Sequence, residues 1–182
     1  YSSPDDVLNR YCLNSLYPDT AYSVESGGDP DSIPDLSYED FLAFHKKLYH
    51  PSNSYIYLYG NCDMAERLEY LDREYLSHYD CMKVDSEIKT QKPFESMHRV
   101  EAQYSVTEDE GISGRTYLSY NLSVGDTLDK KLYIAMQILD YALFSAPGAQ
   151  VRQALIDAGI GDDIICSYES SLKQPMFTIA AK

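Results

Sequence analysis

The chain has 182 residues, 44% hydrophobic and 13% aromatic, enough to bury one good core or two partial ones. Its formal net charge is −14. A surface that acidic repels nucleic acid and anionic lipid, which argues against a nucleic-acid or membrane-surface binder and leaves basic peptides as an open partner class. Four cysteines, Cys12, Cys62, Cys81 and Cys166, form no C-x-x-C pair. That scatter fits free thiols in a reducing compartment, and the expected location is the cytoplasm, or an organelle matrix if the source is eukaryotic. No apolar run approaches the ~18 residues of a membrane span, and no signal peptide is evident. The opening Tyr1-Ser2-Ser3-Pro4 lacks a Met and reads as the middle of something longer.

Ser3-Pro4-Asp5-Asp6 predicts a helix start: a Ser cap, Pro in the first turn, and acids near the positive end of the dipole. Val7, Leu8, Tyr11, Cys12, Ser15 and Leu16 then give one apolar face, ending near Tyr17-Pro18. Residues 18–36 hold three prolines and two glycines and predict a loop, ESGGDPDSIPDL being unable to form a regular element. Ser37 predicts the N-cap of a second helix, with Asp40 as a weak capping-box partner and Leu36 and Phe41 as a staple. Tyr38, Phe41, Leu42, Leu48 and Tyr49 share its apolar face. Pro51 stops it at His50. Tyr55–Tyr59 follows as a run apolar on both faces, which predicts a strand covered on both sides. Asp63, with Glu66 three residues on, caps a third helix striped by Met64, Leu68, Leu71, Tyr75 and Tyr79.

Residues 81–96 are mostly polar without sustained period and predict a linker between two bodies. Beyond it, His98 to Thr107 and Thr116 to Val124 alternate strictly, which predicts two strands with one packed and one wet face. The connector TEDEGISG, with Glu108, Asp109 and Glu110, reads as a solvated loop. A helix from about Thr127 to Ser145 carries apolar residues on most sides and is expected to be largely covered. Pro147-Gly148 breaks it. A short helix from Ala149 to Ala158 follows, with Gly159 at the left-handed C-cap. Ile164–Tyr168 and Met176–Ala181 predict a final strand pair. The second body is thus β-β-α-α-β-β, and the fold class is α+β, helices packed on a mainly antiparallel sheet. The first body has three helices and a single strand, which is not a sheet, so that strand needs partners from elsewhere.

Residue types offer little chemistry. His45 and His50 lie five apart and cannot share a zinc from one regular helix; His45 falls on the apolar stripe and is expected in the core. His78 and His98 have no ligand-type neighbours at a recognised spacing. There is no nucleophile elbow and no phosphate loop.

YPDTAYSVESGGDPDSIPDLSYEDFLAFHKKLYHPSNSYIYLYGN resembles the presequence-protease branch of the pitrilysin/insulysin zinc metallopeptidases. RQALIDAGIGDDI resembles a helix and Gly-rich turn in the next domain of those proteins. YHPSN is shared widely across the family, whereas SGGDP is more specific to the branch, and the resemblance runs over nearly the whole chain. It implies two partial domains of the metallopeptidase-half type: residues 1–80 as the C-terminal part of the first, catalytic-type domain, 81–96 as linker, and 97–182 as the N-terminal part of the second, non-catalytic domain. It implies a parent zinc endopeptidase that degrades small peptides in a closed chamber. The H-x-x-E-H motif of such enzymes is absent here, so no catalytic or metal residue carries over, and zinc is expected in the parent but not on this segment. The implied partners are peptide substrates and the remaining domains of the same chain, with no nucleic acid and no membrane. Ser26, Gly27 and Gly28 are the residues expected nearest a chamber contact. Tyr49, Pro51 and Asn53 are expected to be structural: aromatic packing, helix stop and turn. The alternative is a non-catalytic structural or interaction domain of the same family, and a remoter one an unrelated α+β binding protein.

Overall fold

A computed structural model describes residues 3–182, with the side chain of Glu110 outside the described set. Tyr1 and Ser2, and with them the start of the chain, also lie outside it. The chain divides into two compact units: the described residues up to Gly27 together with Ile88–Lys182, and Gly28–Glu87.

In the first unit, α1 (Pro4–Leu16) begins where the sequence predicts. The Ser3 hydroxyl accepts the Asp6 N–H at 3.5 Å, and Asp5 and Asp6 occupy the first turn. Its inward face packs on the sheet. Cys12 and Tyr17 are buried with Met176 of the sheet, and Leu8, Leu13, Leu16, Tyr22 and Leu172 pack around them. The sheet has three antiparallel strands in the order β1-β3-β2: β1 (Leu118–Ser123), β2 (Ile164–Glu169) and β3 (Met176–Ala181). Ile179 stands between Tyr120 and Cys166, which fixes the register across the whole sheet. One face carries Ser119, Asn121, Thr178 and Ala180 toward α1, where the Cys12 thiol lies 3.4 Å from the Ser119 hydroxyl. The opposite face holds Phe177, whose ring packs on Phe144 at 5.0 Å and Tyr168 at 5.8 Å.

Two helices precede the β2–β3 pair. In α4 (Lys130–Asp140), the Asp129 carboxylate accepts the N–H groups of Lys131 and Leu132. The helix widens into a π-turn at Tyr141–Ser145, which drops Phe144 into the core. In α5 (Gln150–Asp157), the C-terminus closes as predicted: Gly159 has φ +67°, its N–H bonds Ile156 O, and Ile160 N–H bonds Leu155 O. That pair of bonds is the Schellman pattern, and only Gly adopts that φ without strain.

The second unit holds α2 (Tyr38–Leu48) and α3 (Met64–Glu74). Both start at the predicted caps. Asp40 N–H bonds Ser37 Oγ at 3.0 Å while Ser37 donates back to the Asp40 carboxylate at 2.6 Å. Asp63 Oδ1 accepts the N–H of Ala65 and Glu66.

The α+β class and the antiparallel sheet agree with the sequence reading; several finer expectations do not. Tyr55–Tyr59 belongs to no helix and no sheet among the described residues, and Tyr55, Tyr57 and Tyr59 are 104%, 84% and 88% exposed. Apolarity on both faces announces what a segment can bury; only a neighbouring backbone makes it a strand. Residues 98–107 likewise form no ladder, although the Tyr104 ring packs edge-on against Tyr117 at 5.6 Å and its hydroxyl donates to Arg115 O. The observed order is therefore β-α-α-β-β. In β1 the packed face is the polar one: Leu118, Tyr120 and Leu122 are exposed, while Ser119 and Asn121 lie against α1 and Thr178. Alternation separates two faces without saying which is covered. Helix α4 is less enclosed than expected, with Ile134, Ile138, Leu139 and Tyr141 exposed. His45 is not a core residue; it is exposed, its ring stacked on Tyr49.

Candidate functional site

The Gly-rich loop is built from local bonds. Glu25 Oε1 accepts the Gly27 N–H at 3.5 Å. Ser26 and Gly27 are exposed and Gly28 is half-buried. Gly28 sits at φ +85°, and a Cβ there would stand 3.1 Å from Ile33 Cδ1, so both backbone and space call for glycine. Asp29 then closes the next turn, its carbonyl taking the N–H of Ser32 and Ile33 and its carboxylate that of Asp31. The arrangement offers the Ser26 hydroxyl beside the carboxylates of Glu25 and Asp29, which are engaged in the loop's own turns, and among the described residues no metal donor set accompanies them.

The predicted stop of α2 is equally local. Tyr49 N–H bonds His45 O at 2.8 Å, and the two rings stack at 4.6 Å. Pro51 opens a single 3-10 turn through Asn53, with His50 Nδ1 accepting the Ser52 N–H at 3.2 Å. The Asn53 amide donates to Leu48 O at 2.9 Å and its carbonyl accepts from Ser86 Oγ at 2.5 Å. Ser52 Oγ accepts Met82 N–H at 3.1 Å. The turn thus ends one helix and also holds the segment that follows α3, a role with no short-range sequence signal because its partners lie about thirty residues on.

The residues present do not fit a zinc site. Among the described residues no group of three or more His, Cys, Asp or Glu side chains is placed to hold a metal. His50 also packs edge-on against Tyr79 at 5.3 Å, His78 Nδ1 lies 3.3 Å from Tyr75 O, and His98 sits against Phe94 at 4.4 Å. All four cysteines are free thiols, Cys12 buried and Cys62 and Cys81 exposed.

Two groups that the sequence reading passed over lie behind the sheet. Burial pushes the Asp140 carboxyl above its ordinary range, and its Oδ1 is enclosed without a hydrogen-bond partner. Burial also raises the Cys166 thiol, with Arg152 pulling it down and Asp140 pushing it further up. A thiol so placed is a weak nucleophile. A cavity of about 140 Å³ lies between α1 and the sheet, lined by Leu8, Cys12, Ile165 and Thr178 among others. Neither place couples a nucleophile to a base.

Residues 35–182 match the family described as Peptidase M16 inactive domain. The chain belongs to the M16 peptidase family. It is 47% identical over 182 residues to "Protein HypA" of Clostridium perfringens, covering 100% of this chain and 19% of that protein. It is 35% identical over 186 residues to "Presequence protease 1, chloroplastic/mitochondrial" of Arabidopsis thaliana, covering 100% of this chain and 17% of that one. The "Presequence protease, mitochondrial" of Danio rerio is 28% identical over 183 residues, with 98% of this chain and 18% of the relative covered. The M16 segment described here therefore spans less than a fifth of the length of these relatives, and its likeness to presequence proteases runs along its whole length. Among solved structures, a putative M16-like peptidase from Alicyclobacillus acidocaldarius superposes with a TM-score of 0.58 at 20% identity, covering 98% of this chain and 42% of that one. That likeness concerns the fold. No helix among the described residues is long and apolar enough to cross a membrane.

Proposed function

We propose that this M16 segment is a non-catalytic part of a zinc-dependent metalloendopeptidase that degrades small peptides in a closed chamber. The observation that carries the reading is the match of residues 35–182 to the inactive M16 domain. The donor set agrees with it: histidines engaged with rings, amides and carbonyls rather than gathered around one point. In this reading residues 1–80 are the C-terminal part of the catalytic-type domain, 81–96 the linker, and 97–182 the N-terminal part of the second domain. Zinc and the H-x-x-E-H motif belong to other parts of the parent. Exposed Tyr55–Tyr59 then takes its strand partners from the same parent chain, which supplies the backbone groups a lone extended segment lacks. The Ser26-Gly27-Gly28 loop presents its backbone groups toward the peptide chamber, and the parent works in the cytoplasm or an organelle matrix.

The test is a zinc titration of the 182-residue chain followed by a peptidase assay. The expected result is no stoichiometric zinc and no turnover. Zinc-dependent turnover by this chain alone overturns the reading. The inactive-domain match also favours a second reading, a structural or interaction domain in a parent without zinc chemistry. An intact H-x-x-E-H in the parent sequence decides for the enzyme, and its absence decides for the interaction domain.

A further inference from the structure

The polar stretch 81–96 contains one buried residue that composition gives no reason to expect. Gln91 is only 6% exposed, while its neighbours on both sides are exposed. Residues Ile88–Lys92 form no ladder and no helix, so side chains alone hold them. Gln91 and Gln174 clasp each other reciprocally: Gln91 N–H donates to Gln174 Oε1 at 2.6 Å, and Gln174 Nε2 donates to Gln91 O at 3.1 Å. The Gln91 side chain repeats the pattern with Asp19, whose N–H donates to Gln91 Oε1 at 2.9 Å and whose carboxylate accepts from Gln91 Nε2 at 2.9 Å.

The adjacent Lys173 ties the same two stretches again. Its N–H donates to the Tyr22 hydroxyl at 2.9 Å, and its Nζ donates to Ile88 O at 2.7 Å. The Tyr17 hydroxyl donates to Gln174 O at 2.7 Å. Tyr17 and Pro175 beside it are fully buried. Three segments distant in sequence thus meet at the β2–β3 turn: the exit of α1, the return of the chain after residues 28–87, and residues 173–175.

We propose that Asp19, Gln91, Lys173 and Gln174 form a releasable clasp that anchors the chain where it returns to the sheet unit. Its bonds are all polar and all made by side chains against backbone or another polar group. Opening it forfeits a few hydrogen bonds and leaves the β-ladder intact, which is the energetic definition of a local rather than a global opening. The connector is then a latched strap, held at Ile88 and Gln91 by side chains of residues 173 and 174.

Amide hydrogen exchange on the 182-residue chain tests this, with residues 176–181 as an internal control for folding. The expected order of exchange is residues 83–85 fastest, 88–92 slower by at least about tenfold, and β3 slowest. Gln174→Leu removes both bonds to the Gln91 backbone and should abolish the intermediate protection of 88–92, whereas Gln91→Leu removes the pair to Asp19 but neither of those two and should lower it by a smaller factor. Exchange of 88–92 in step with 83–85 overturns the clasp. Exchange in step with β3 overturns its release. Unchanged protection in Gln174→Leu overturns the assignment of residues. If Gln174→Leu also loses β3 protection, Lys173→Met decides, since it removes the Nζ bond to Ile88 O and keeps the Lys173 N–H bond to Tyr22: faster exchange of 88–92 with β3 intact sustains the proposal, and unchanged exchange refutes it.

Discussion

Met176–Ala181 and Tyr55–Tyr59 are runs of similar length and similar apolar content, and they end in opposite situations. The first is the central strand, paired to β1 on one side and β2 on the other, with Met176, Phe177, Thr178 and Ala180 buried. The second has no ladder among the described residues, and its three tyrosines stand in solvent. Composition sets how much a segment gains by being covered. Whether it is covered depends on backbones elsewhere in the chain.

The contrast can be tested by weakening each run. Phe177→Ala removes a ring held between Phe144 and Tyr168 and should cost about 3–5 kcal/mol in urea denaturation; a loss below about 1 kcal/mol would mean that the sheet side is no better packed than Tyr55–Tyr59. Gly161→Ala attacks the end of the same strand by another route. Gly161 has φ +75°, and a new Cβ would stand 2.7 Å from Lys182 O. Strain of that kind costs about 1–3 kcal/mol, and the bonds linking Asp162 and Asp163 to Lys182 should show faster amide exchange.

Asp140 gives the sheet side a pH signature. Burial raises its folded-state pKa above the unfolded one, so the folded chain binds the proton more tightly. That contribution to stability is full below the ordinary carboxylate range and is lost as pH rises through the raised value. Asp140→Asn should therefore flatten the fall in the urea midpoint on raising pH from acid to neutral; an unaltered profile would remove Asp140 as its source. The smallest effect is expected at Tyr57→Ala, within about ±0.5 kcal/mol in this chain. A larger loss would show the exposed run to be packed in solution and erase the distinction between the two regions.

The legible parts of the fold were those decided within a few residues. Ser3, Ser37 and Asp63 each begin a helix because a side-chain oxygen reaches an N–H two or three residues on. Gly159 ends one because the chain must turn left-handed there. The strand pair at the C-terminal end was legible because its members are close in sequence. What could not be read were choices made at a distance. The buried face of β1 is set by α1, more than a hundred residues earlier, through Cys12 and Ser119. Gln91 looks like linker because its partners are Asp19 and Gln174, 72 and 83 residues away. At the candidate loop, the glycine requirement at Gly28 follows from its φ and Ile33, whereas a role toward peptide cannot arise from turn chemistry alone.

The strand order β1-β3-β2 also has a consequence for synthesis. Among the described residues β1 pairs with β3 alone, so on the ribosome β1 must wait through two helices and β2 before that partner exists. During that interval the backbone N–H and C=O groups that β1 later shares with β3 have no ladder partner in the sheet. That edge of β1 closes only once residues 176–181 have emerged.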